Sequence, residues 1–236
     1  MYRPHPLLLC LGILAASGCN ESTEGTYENI SFTPRDCGAW NTGCAFDDSI
    51  GVGGLVNVQI AGINGFSTAG VTLGTEDTAV LDVTPIADIG GRPAWQLMGL
   101  DAGVARLQAY DTSQEIVDFI EVSVQPVTAL VLEDFIGDAV ASDPGAYDET
   151  WIVQAETDTS FYVVPTIGEG VRTMGRFPYD ATLDAEVLSG LLPSADVGEG
   201  YLAFNVPAGD YEVSFETISA DPLYLDVLIS AQTPGG

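Results

Sequence analysis

From residue 50 onward, short runs of β-branched and aromatic residues are broken by Gly, Pro and Asp every eight to twelve residues. That rhythm leaves no room for a sustained apolar stripe of 3.6-residue period, so helix content should be low. Short strands closed by frequent turns predict an antiparallel β-sandwich or barrel. Strands are expected near 52–60, 67–73, 78–84, 94–100, 103–110 and 116–124. In the last two the alternation is clear. Ala105, Leu107 and Ala109 should face inward while Arg106, Gln108 and Tyr110 face out, and Ile120, Val122 and Val124 alternate with Glu121 and Ser123. Gln125-Pro126 interrupts the run.

A second series is expected near 128–135, 150–156, 160–165, 181–188, 201–206, 211–217 and 223–230. Tyr201–Val206 and Tyr211–Glu216, joined by Pro207-Ala208-Gly209-Asp210, read as a hairpin with Leu202, Phe204 and Val206 on one face with Tyr211, Val213 and Phe215. A boundary near 126 divides the region into units of roughly 80–110 residues, each large enough to bury a core. One larger sandwich of about 200 residues is the alternative.

The N-terminus has a different character. Arg3 precedes an apolar run from Leu7 to Ala16, which small residues extend to Cys19. The run is too short to span a bilayer as a helix and reads as a secretory leader. With Leu14-Ala15-Ala16-Ser17-Gly18-Cys19, the block resembles the lipobox of bacterial lipoproteins, with Ala16 standing where that pattern prefers Leu. The resemblance implies a signal peptide over 1–18, cleavage before Cys19 and fatty acylation of its thiol, hence a membrane partner through the lipid and an exported, cell-envelope location. Polar, aperiodic residues 20–36 then read as a flexible tether with a reach of roughly 23 Å.

Removal of residues 1–18 would take the sole histidine, His5, and the chain has no lysine. Ser-His-Asp, Cys-His and Ser-Lys arrangements, Schiff bases, imidazole metal sites and a P-loop are then all closed. Five remaining arginines against 34 acids leave a net charge of −29. A field of that sign repels nucleic acid and anionic lipid, which argues against both as direct partners. It also suits solubility and salt tolerance.

Two cysteines remain beyond Cys10 and Cys19. Cys37 and Cys44 flank a Gly/Asn-rich loop, and in an oxidising compartment they should pair as a staple on it, so that 19–49 comprises the lipidated Cys, the polar tether and a small disulfide loop. Trp40, inside that loop, is the candidate ligand contact, with packing against the staple as its alternative. Clustered carboxylates could hold Ca²⁺, which takes oxygen ligands. The candidates are Asp47 with Asp48, Glu133-Asp134 with Asp138, and Asp143 with Asp148-Glu149, none with EF-hand spacing. Beyond this possible Ca²⁺, no cofactor is expected.

Gly99–Ala109, followed by Ile120–Val124, resembles the closing strands of bacterial Ig-like domains, over roughly Val52 to Pro126. Residues 201–230 are similar to the last strands of small β-sandwich accessory domains of secreted bacterial proteins, where a Pro-Ala-Gly turn recurs. The resemblances imply an all-β chain of tandem Ig-like sandwiches, one over 50–126 and a second over 127–236, and neither carries catalytic residues. Asp111-Thr112-Ser113 and Asp158-Thr159-Ser160 lack the glycine an aspartic-protease pair requires and read as turns. Trp95 and Trp151 sit in strand-like runs and read as core, whereas Tyr162, Tyr179, Tyr201, Tyr211 and Tyr224 could build a platform for a sugar or peptide. The expected function is a lipid-anchored, non-enzymatic binding, adhesion or scaffold module for an envelope protein or polysaccharide. A Ca²⁺-dependent carbohydrate- or polymer-binding protein and a carboxylate-only hydrolase are the alternatives.

Overall fold

The computed structural model of the protein describes residues 22–35, 44–134, 149–168, 171–218 and 222–233. The first sandwich comprises β1 (Thr23–Glu24), β2 (Ile30–Arg35), β3 (Ile50–Gly51), β4 (Leu55–Gly62), β5 (Thr72–Thr75), β6 (Leu81–Ile89), β7 (Arg92–Gly99), β8 (Gly103–Tyr110) and β9 (Ile116–Gln125). One sheet runs β1-β2-β4-β7-β6 and the other β3-β9-β8-β5. All pairs are antiparallel except the short β3–β9 ladder, which is parallel. Two such sheets, with an early strand switching across to lie parallel against the last, form an immunoglobulin-like arrangement.

The second sandwich repeats the plan. Its strands are β10 (Ala129–Asp134), β11 (Glu149–Gln154), β12 (Thr159–Ile167), β13 (Val171–Arg172), β14 (Tyr179–Leu183), β15 (Tyr201–Phe204), β16 (Gly209–Thr217) and β17 (Tyr224–Gln232). In one sheet β12 pairs with β10, β13 and β15, and the other runs β11-β17-β16-β14. Again the early strand β11 lies parallel to the last strand, β17. Each sandwich has its own core. Ile30, Phe32, Val56, Leu97, Leu107 and Val122 fill the first. In the second, Trp151 meets Phe161 edge-on at 4.3 Å between ring centroids, with Phe204 and Phe215 around them. Trp95 and Trp151 are therefore core residues, as their strand-like context predicts.

Three sequence expectations change. Part of the expected tether is structure: Ile30 and Phe32 are fully buried, alternate with Ser31 and Thr33, and pair β2 with β4. Its short length and its Pro34 disguise it. Pro34 sits beyond β1, which pairs only with Ser31 and Phe32, so the missing N–H costs no bond on that side. Second, the expected 201–216 hairpin is a crossover. β15 pairs with β12 in one sheet, whereas β16 pairs with β14 and β17 in the other. Inward alternation is the same for a hairpin and for two strands facing each other across a core, so the pattern could not separate them. A corner replaces the turn, with the Tyr211 hydroxyl donating to the Pro207 carbonyl at 3.0 Å. Third, the strand expected over 181–188 gives way after Leu183 to a short helix, α1 (Ala185–Ser189), ended at Gly190. Ala185, Glu186 and Leu188 favour helix, and Val187 turns wholly into the core.

The N-terminal hairpin is pinned by one buried carboxylate. Asp118 on β9 is 0% exposed and accepts N–H bonds from Tyr27, Asn29, Ile30 and Phe119 at 2.8–2.9 Å. Asp118→Ala leaves those donors without an acceptor and should destabilise the protein by about 3 kcal/mol, with Asp118→Asn intermediate, as read from urea unfolding midpoints.

Tyr179 in the second core supplies a pH dependence. Burial raises its phenol well above the ordinary tyrosine value of 10.0. The neutral phenol is thus the folded form, so its contribution is full below pH 10 and is lost as pH rises above the unfolded value. Wild-type stability should fall by up to about 1.4 kcal/mol per pH unit above 10 from this group. Urea midpoints at pH 8 and pH 11 should show Tyr179→Phe losing less than wild type.

Candidate functional site

The two sandwiches meet at a joint built by the segment between β13 and β14. Met174 donates its N–H to Ser49 at 2.8 Å and accepts from Gly51 at 3.1 Å. Two residues on, Arg176 and Leu55 exchange both backbone bonds, at 2.8 and 2.9 Å. Four main-chain bonds therefore stitch the second sandwich to the β3–β4 region of the first. Met174 reinforces them: at 3% exposure it belongs to the first core although its neighbours in sequence belong to the second sandwich. Phe177 anchors the opposite side, in the second core.

Glycine makes the approach close enough. A Cβ on Gly51 would lie 2.5 Å from the Phe177 ring and 2.8 Å from Val127. Gly175 holds φ at +125°, which L side chains rarely adopt, against the Gly54 backbone. Arg176 adds a bond from its guanidinium to Glu199 at 2.9 Å.

Beside the ladder lies a pocket of about 430 Å³. Val52, Leu100 and Asp101 line it from the first sandwich, and Phe177, Ile218 and Leu223 from the second. Linker residues Pro126 and Val127 add to the lining. Its surface is mainly apolar, and the Thr217 hydroxyl within it already accepts the Leu223 N–H at 2.9 Å. Volume, apolar lining and a position between two domains are those of a small-ligand or side-chain site.

The residues singled out in the sequence fall elsewhere. Cys19, Cys37, Trp40, Asp138, Asp143 and Asp148 lie outside the described residues. Asp47 and Asp48 are exposed in a turn, and among the described residues no group of three His, Cys, Asp or Glu could hold a metal ion. Glu133 is engaged by Arg172, whose guanidinium meets the two carboxylate oxygens at 2.8 and 2.6 Å. Asp111 accepts the N–H groups of Ser113 and Glu115 and so serves its turn, while Asp158 receives the Asn205 amide.

The tyrosine platform does not assemble. Tyr179 and Tyr211 are buried. Tyr162 and Tyr201 stack on each other at 4.6 Å and 25°, each giving one ring face to the other, and burial with the neighbouring Tyr201 raises the Tyr162 phenol. Tyr224 stands apart, 60% exposed, bonded to Glu216. The functional candidates that sequence reasoning missed are Met174, Leu100, Asp101 and Ile218. The available signal was the glycine density of Gly51–Gly54 and Gly175, a mark of close backbone approach.

No family model and no curated protein matches this chain. Solved structures similar to it include domains 5–6 of the S-layer protein SbsC, with 14% identity and a TM-score of 0.32, covering 91% of this chain and 100% of that one. The Escherichia coli adhesin FdeC is 17% identical at a TM-score of 0.26, over 76% and 61% of the two chains. Invasin, a bacterial integrin-binding protein, is 12% identical at 0.29, over 86% and 39%. At these scores the likenesses carry no argument about ligand, partner or reaction.

The joint predicts coupled unfolding. Met174→Ala should cost the first sandwich about 3 kcal/mol. Calorimetry should then show its transition separating below that of the second sandwich, where wild type melts as one.

Proposed function

We propose that this chain is a non-enzymatic binding module of the bacterial cell envelope, held to a membrane by a lipid on Cys19. The observation that carries the binding reading is the joint: two sandwiches tied by four backbone bonds, with an apolar pocket between them. Such a unit presents a surface of fixed shape, which lowers the ordering cost of association. Chemistry points the same way, since a chain cut before Cys19 has neither histidine nor lysine to activate a nucleophile. The partner is an envelope protein or polysaccharide. The anchor rests on the Leu7–Cys19 block, and two or more acyl chains are needed for stable attachment. A Cys37–Cys44 disulfide closes the loop after β2, a reading supported by Cys44 being disulfide-bonded.

Growth with labelled palmitate tests the anchor. The protein should carry label and sediment with membranes, and Cys19→Ala should lose the label and become soluble. An unlabelled wild-type protein that retains its leader overturns the anchor. Co-sedimentation of the protein with isolated envelopes tests the binding reading, and absence of saturable binding overturns it.

A further inference from the structure

We infer that the joint pocket is the recognition site of this module and that it takes an apolar side chain of a partner polypeptide flanked by lysine or arginine; the inference rests on the binding reading above. Three observations converge. The pocket's walls come from both sandwiches, and the backbone ladder beside it fixes them relative to each other, so the site is preformed.

Apolar surface continues past its mouth. Leu100 is 40% exposed and Ile218 is 58% exposed, one from each sandwich, and both line the pocket. Exposed leucines scattered singly are ordinary, but two meeting at one cavity mark an interaction surface. A buried side chain with backbone running on to either side covers that surface; a small metabolite seated inside the pocket leaves it wet.

Charge selects the flanking residues. Among the described residues, Asp101 is the one ionisable group in the lining, and no cation lines the pocket. The cross-strand pair Asp180 and Glu216 lies within two residues of the pocket's Pro178 and Thr217, and Arg176 beside Phe177 is already paired with Glu199 at 2.9 Å. With a net charge of −28 on the whole chain, the surface attracts a basic partner and repels an acidic one.

The test is an NMR titration of the isotopically labelled full chain with three blocked tripeptides: Lys-Phe-Lys, Glu-Phe-Glu and Lys-Gly-Lys. Lys-Phe-Lys should shift the amides of Val52, Leu100, Asp101 and Ile218 saturably, and bind at least about tenfold more tightly than either of the others. Leu100→Ser with Ile218→Ser should weaken it about tenfold, consistent with loss of an interface anchor. Both residues are exposed, so the melting temperature of that variant should match wild type. Asp101→Asn should weaken it about threefold and flatten its dependence on salt.

Equal affinity for Glu-Phe-Glu, equal affinity for Lys-Gly-Lys, or shifts confined to other residues would overturn the assignment. So would shifts at these amides that grow with protein concentration alone, which would make a second copy the occupant. Envelope co-sedimentation separates this failure from that of the binding reading. If wild type and the double serine variant bind envelopes equally, the pocket assignment falls and the binding reading stands; if wild type does not bind, the binding reading itself falls.

Discussion

The exchange of backbone hydrogen bonds between residues 49–55 and 174–176 is the constraint on which this molecule's larger organisation depends. Two sandwiches joined only by the Pro126-Val127 linker would move independently, as domains with small polar interfaces do. Here the second sandwich lends Met174 to the first core and keeps Phe177 for its own, so the boundary between the cores is interlocked. Backbone bonds add direction to that apolar contact, because a slip by one residue would break all four. The glycines at the joint are the steric condition for the approach.

A second device recurs inside each sandwich: one polar side chain fixes a connection that lacks ladder bonds of its own. Asp118 gathers the N–H groups of the β1–β2 turn in the first, and Tyr211 holds the corner before β16 in the second. Both side chains reach across a connection to backbone atoms, and around the wholly buried Asp118 the low dielectric strengthens those bonds. Arg172 and Glu133 act similarly on the outer side of β12, tying β13 to β10. Most of the described carboxylates stay at or near the surface, whereas these few groups carry structural specificity.

Much of the fold was legible because its signal is local. Ala105, Leu107 and Ala109 alternate inward as expected, and Ile120, Val122 and Val124 do the same on the neighbouring strand. Asp111-Thr112-Ser113 lies in a turn, as expected for want of a glycine, whereas Asp158-Thr159-Ser160 follows a turn and runs into β12. Strand partners were less legible. The alternation of Leu202, Phe204 and Val206 is shared by a hairpin and by a crossover, and only the packing of β15 on β12 chooses between them. β2 is hard to see in the sequence because a six-residue strand containing Pro34 carries too few apolar positions to stand out. Of the pocket almost nothing could be read, since Leu100, Asp101 and Ile218 are unremarkable residues in separate turns.

By itself, then, the chain's order of residues determined that it would be all-β, where most strands run, and which chemistries its side chains can support. Those are consequences of period, propensity and the inventory of functional groups, and each is settled within a few neighbouring residues. Tertiary structure alone decided which sheet each strand joins, that Met174 crosses into the other core, and that Leu100 and Ile218 flank one cavity. These turn on contacts between residues distant in sequence, whose free energy depends on the packing of both partners and leaves no mark on either segment alone.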